Sequence, residues 1–255
     1  MIRTLIYLVI FVTWLRTLVY DVLYVGVVFD GEASWFTKLK FLTILNMVLQ
    51  TGYFGLCTLR ALIDRCQETP KRGPHRAHPE LPTYYPTTKL HVFCDRLYAL
   101  AVFPLGMIVC IVFWSLYAVD REMIFPKELD AFIPRWMNHV LHTAPVPFIL
   151  VDTMLVCHKY PSAWEGFRAS IALGLIYTMS LYVWNYFDGY WVYPFMDTMS
   201  DGIRFIFLVF APICFAVFYF IGDHFNRLLW GGGVHPVREV MKRRLSKAAD
   251  LKKNR

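Results

Sequence analysis

The sequence predicts an all-α, polytopic membrane protein with six transmembrane helices and both termini in the cytoplasm. Three observations carry that expectation. The 255 residues are 57% hydrophobic and 17% aromatic. Charged residues make up only 18%, against about a quarter in soluble domains. Long apolar runs also recur at roughly the 20-residue length that crosses a bilayer.

Six spans follow from those runs, at about 4–29, 36–59, 97–119, 136–157, 166–187 and 203–222. The first is interrupted by Arg16 and Asp21 and lacks a small-residue cleavage site, so it is not expected to be a cleavable signal peptide. Loop 60–89 is rich in Lys and Arg, whereas loop 30–35 carries only Asp30 and Glu32. Loop 188–202 holds Asp188, Asp197 and Asp201 with no basic residue. Basic loops face the cytoplasm, and the alternation sets the orientation. Trp35, Trp136, Trp164, Trp191 and Trp230 fall at the span ends, where amphipathic rings anchor.

The net charge of +7 is local rather than global. From Gly231 onward eight basic and two acidic residues account for +6 of it. Residues 1–230 are therefore read as one transmembrane domain and 231–255 as a basic cytoplasmic tail facing anionic lipid. No nucleic-acid partner is expected. The six cysteines lie in spans or on the cytoplasmic side, so no disulfide is expected. Loop 67–88 reads as a Pro-rich connector.

No G-x-S-x-G, H-E-x-x-H, G-x-G-x-x-G or P-loop signature occurs. The candidates are polar residues at membrane depth. Asp120 to Phe148 runs from a polar, Pro-punctuated loop into an apolar span holding Asn138, His139 and His142, followed by Pro145 and Pro147. Polar groups beside a helix-breaking proline pair are tolerated where they line a protein cavity. On the second span Thr43, Asn46 and Gln50 share one helix face. Counted from Trp35 and Trp136, Thr43 and His142 lie roughly 12 Å and 9 Å below the same boundary. A hydroxyl and an imidazole at common depth are the minimum for acyl transfer. The competing reading is structural, because a membrane threonine ordinarily bonds the carbonyl one turn back.

The motifs K-F-L-T-I (Lys40–Ile44), D-R-E-M-I-F-P-K (Asp120–Lys127), F-I-P-R-W-M-N-H-V-L-H-T (Phe132–Thr143), P-F-I-L (Pro147–Leu150) and W-V-Y-P-F (Trp191–Phe195) resemble the androgen-induced-gene family. The likeness runs from the first span to the sixth and weakens in loop 67–88 and the tail. It implies an integral-membrane threonine hydrolase acting on fatty acid esters of hydroxy fatty acids. The family's nucleophile falls on Thr43 and its catalytic histidine on His142; no cofactor or metal is implied.

Asn46 stands where some relatives carry Asp, which leaves the third catalytic member open. Asp152 lies roughly 15 Å deeper along the fourth span, and Asp188 is an unsupported alternative. Asn46 or Asn138 is a candidate oxyanion donor, and Lys40 or Arg204 a candidate for holding a substrate carboxylate. His139 is read as a neighbour that orients the site. Two alternatives stand beside the hydrolase. One is a metal shared by His139, His142 and His224; the other is a membrane ligand-binding or transport protein without hydrolytic activity. The ending Lys252-Lys253-Asn254-Arg255 resembles a dilysine retrieval signal of the endoplasmic reticulum, with the plasma membrane as the other candidate location.

Overall fold

The computed structural model describes residues 2–25, 35–67 and 88–230. Residues 68–87 of loop 67–88, residues 30–34 of loop 30–35 and the basic tail with its terminal lysines lie outside the described residues. Every regular element described is helical: α1 (Ile2–Tyr24), α2 (Leu42–Gln67), α3 (Lys89–Leu97), α4 (Phe103–Val119), α5 (Arg135–His142), α6 (Pro145–Leu155), α7 (Ala163–Asp188), α8 (Pro194–Asp197) and α9 (Asp201–Trp230). A π-helical turn at Tyr98–Val102 joins α3 to α4, so Lys89–Val119 is one long helical segment.

Five segments are long and apolar enough to cross a membrane: Ile2–Tyr24, Leu42–Cys66, Lys89–Val119, Ala163–Asp188 and Asp201–Trp230. The predicted fourth span, 136–157, is instead two helices of 8 and 11 residues. The division has a local cause. Pro145 has no N–H to bond back into α5, so the helix stops at His142 and restarts at Pro145, where a missing N–H costs nothing. Trp114 Nε1 donates to the His142 carbonyl at 2.9 Å and so satisfies a carbonyl at the end of α5.

Two helix pairs frame the molecule. In α1 the buried residues Tyr7, Ile10, Trp14, Thr17 and Asp21 follow 3- and 4-residue steps, forming one stripe against α2. Much of the rest of its surface is exposed and apolar, as at Leu5, Val9, Val12 and Leu23, which suits lipid. In α7 the stripe is Gly166, Ser170, Gly174, Thr178 and Leu181, and it lies along α9. Helix α7 opens with an N-cap, in which Ser162 Oγ accepts from Glu165 N–H at 3.2 Å. It closes at Gly189, whose φ of +77° supplies the left-handed turn. Helix α4 runs between the pairs and touches α2, α5, α6 and α9.

Cys57, Cys94, Cys110, Cys157 and Cys214 form no disulfide.

Candidate functional site

Thr43 sits in the first turn of α2, which begins at Leu42 after a 3₁₀ stretch at Trp35–Lys40. This start decides where its hydroxyl goes. Thr13, Thr17, Thr51, Thr58 and Thr153 each donate to the carbonyl four residues back. Thr43 follows a 3₁₀ stretch rather than a full α-helical turn, and its Oγ1 lies 3.2 Å from His142 Nε2. The amino end of α2 also places the positive end of a helix dipole beside that oxygen.

The last turn of α5 fixes the imidazole. His142 Nδ1 is 2.8 Å from Asn138 Oδ1 and 3.1 Å from the Asn138 carbonyl. Both neighbours are acceptors, so Nδ1 carries the proton and Nε2 presents its lone pair to Thr43. The Phe113 ring stacks on the imidazole at 3.6 Å and 8°, which holds its plane. His142 is buried and Thr43 half-buried.

Thr43 forms part of the wall of an apolar cavity of about 180 Å³ between the start of α2, α4, α7 and α9. Its lining includes Val112, Phe113, Leu181, Phe207 and Phe215, and on the α9 side it reaches the exposed Phe210. The polar hydroxyls on its wall are those of Thr43, Tyr177 and Tyr193.

The other sequence candidates separate into groups. Asn138 belongs to the pair just described, with its side-chain oxygen directed at His142. His139 is exposed, stacks on Trp114 at 5.6 Å and approaches Thr143 Oγ1 at 3.2 Å. Asn46 is buried one turn along α2 and takes a 3.3 Å hydrogen bond from Gln50. Lys40 forms an ion pair with Asp188 at 3.2 Å and lies near Tyr190 Oη at 3.3 Å, tying the chain before α2 to the end of α7. Arg204 donates to the Met196 and Met199 carbonyls and pairs with Asp201 at 2.7 Å, stapling α8 to α9. Asp152 is engaged elsewhere, by Tyr7, Tyr53 and His158. Among the described residues no three His, Cys, Asp or Glu side chains converge as a metal site, and His224 faces outward on α9 beside Val217, Phe220 and Leu228.

Sequence reasoning passed over Tyr177, Tyr193, Phe113 and Trp114. Tyr193 lies inside the W-V-Y-P-F motif, but in a chain with 15 tyrosines nothing in that motif singles out its hydroxyl.

These features define a multi-pass α-helical membrane protein with a threonine–histidine pair beside an apolar cavity. Residues 2–227 match the family described as FAR-17a/AIG1-like protein, and the chain belongs to that family. It is 37% identical over 197 residues to human androgen-induced gene 1 protein, covering 77% of this chain and 78% of that one. It is 35% identical over 208 residues to rat androgen-dependent TFPI-regulating protein, covering 81% of each. The human androgen-dependent TFPI-regulating protein is 32% identical over 193 residues, with 75% of this chain and 77% of that one covered. No solved structure matches.

Proposed function

We propose that this chain is an integral-membrane lipid-ester hydrolase with Thr43 as nucleophile and His142 as general acid and base. The observation that carries the reading is the 3.2 Å contact between Thr43 Oγ1 and His142 Nε2, at the edge of an apolar cavity and with Nδ1 held by Asn138. His142 takes the Thr43 proton as the alkoxide forms its bond to the ester carbonyl carbon, then returns that proton to the leaving alcohol. Asn138 fills the place of the third member by holding the tautomer and orientation of the ring.

The substrate class implied by the resemblance is fatty acid esters of hydroxy fatty acids. An apolar slot reaching the exposed Phe210 suits an acyl chain arriving sideways from the leaflet. The charge pattern of the loops supports six crossings, cytoplasmic termini and a site near the lumenal face, with α5 and α6 together forming the fourth crossing. The endoplasmic reticulum is the proposed compartment. No cofactor is invoked.

The test is fluorophosphonate labelling and lipid-ester hydrolysis in membranes expressing wild type, Thr43→Ala, Thr43→Ser and His142→Ala. Both Ala variants are expected to lose labelling and hydrolysis at unchanged protein levels, while Thr43→Ser retains activity. Wild-type labelling and turnover in Thr43→Ala would overturn the reading.

A further inference from the structure

Tyr193 and Tyr177 share the cavity wall with Thr43, and their hydroxyl oxygens are 2.8 Å apart. Tyr193 Oη accepts from the Leu42 backbone N–H at 3.1 Å, one residue before Thr43. Tyr177 Oη lies 3.2 Å from the Lys40 carbonyl. The two protons can be arranged in two ways. If Tyr177 donates to Lys40, Tyr193 donates to Tyr177. If Tyr177 donates across the shorter contact to Tyr193, the Tyr193 oxygen receives two donors. Its own proton is then left for a group in the cavity that Tyr193 lines. An oxygen that already accepts from two donors is itself a stronger donor. The ring is held in place by Phe195, stacked at 5.7 Å, and by Phe41, edge-on at 6.1 Å.

We propose that Tyr193 Oη, backed by Tyr177, is the oxyanion donor for attack by Thr43. The inference rests on the hydrolase reading above and supplies its electrophilic half. As Thr43 Oγ1 bonds to the carbonyl carbon, its proton passes to His142 Nε2 and the C=O π pair moves onto oxygen. That oxygen takes a shortened hydrogen bond from Tyr193, which keeps its proton. When the C=O re-forms, the C–O bond to the alcohol breaks and the departing alkoxide takes the proton from His142. Water then repeats the sequence on acyl-Thr43, releasing the acid and restoring the threonine. A preorganised donor costs no reorganisation at the moment charge develops.

The test uses para-nitrophenyl hexanoate, short enough for the cavity, and its thionoester, whose carbonyl sulfur is a weak acceptor. Wild type, Tyr193→Phe and Tyr177→Phe are purified in detergent and compared by kcat, KM, thermal unfolding and the oxoester-to-thionoester rate ratio. Tyr193→Phe is expected to lower kcat on the oxoester on the order of 10²–10³-fold, with KM within about twofold and the rate ratio collapsed. Tyr177→Phe is expected to lower kcat by about tenfold and to keep part of the ratio. A Tyr193→Phe variant with wild-type kcat overturns the proposal. So does a lower kcat at an unchanged oxoester-to-thionoester ratio, which would mark a tyrosine that only braces the start of α2. A wild-type protein that neither turns over the oxoester nor labels at Thr43 would instead remove the hydrolase reading itself, and this inference with it.

Discussion

At the residue scale, two short contacts define the site: Thr43 to His142, and His142 to Asn138. Asn138 offers the ring two acceptors, its side-chain oxygen and its own backbone carbonyl. Removing the side chain therefore leaves Nδ1 one oxygen to bond, and the tautomer survives. Asn138→Ala is expected to lower kcat by roughly tenfold, the cost of about one hydrogen bond, rather than the larger loss that follows when the tautomer reverses. Steady-state ester hydrolysis checks this, and a loss as large as that of His142→Ala would show that the backbone carbonyl does not take over. Counting depth at 1.5 Å per residue put Thr43 and His142 at a common level, but only the family resemblance singled the pair out from the other polar residues of the spans. The partner of Nδ1 was not, because it depends on how the last turn of α5 is rotated. Nor was the captivity of Lys40, since its ion pair with Asp188 joins residues 148 positions apart.

At the scale of elements, the contact of α7 with α9 shapes the cavity. Pro212 lacks an N–H and so frees the Leu208 carbonyl one turn back. Thr178 Oγ1, on the facing surface of α7, donates to that carbonyl at 3.2 Å. Gly174 lets the helices approach this closely, since a Cβ there would sit 2.4 Å from Pro212 Cα. Backbone of this kind cannot yield as a flexible side chain can. Gly174→Ala is expected to force α7 away from α9 at a cost of about 1–3 kcal/mol. A lowered unfolding temperature in detergent would register it, and an unchanged one would mean that the helices separate without loss. Hydropathy located the five long segments, and the bounds moved mainly where polar residues continue a helix, as at Lys89–Leu97 and Asp223–Trp230. The break between α5 and α6 was foreshadowed by Pro145 and Pro147. A window average cannot place such a break, because it records apolarity and ignores a missing N–H.

At the scale of the whole molecule, two polar zones lie far apart along α2. Thr43 and the buried Arg60 are 17 residues apart on α2, or roughly 25 Å. Around Arg60 lies a buried cluster in which Asp152 accepts from Tyr7 and Tyr53 and approaches His158 Nε2 at 3.4 Å. His158 Nδ1 lies 3.1 Å from Asp95, Tyr98 stacks on the ring at 3.8 Å, and Asn226 bonds the His158 backbone N–H and carbonyl at 3.1 and 2.9 Å. Residues from α1, α2, α3, α6 and α9 thus meet around one carboxylate-rich centre. Its members are spread from Tyr7 to Asn226 in sequence, so no local motif announced it. Removing one partner of a buried charge pair leaves the other uncompensated, which typically costs about 3–5 kcal/mol. Asp152→Ala is therefore expected to lower the unfolding temperature and the amount of protein in membranes, and Asp152→Asn to do so less. The labelling rate of Thr43 per folded molecule is expected to stay near that of wild type, because Arg60 at the cluster lies roughly 25 Å from Thr43 along α2. A folded Asp152→Asn protein that no longer labels would join the two zones into one functional unit.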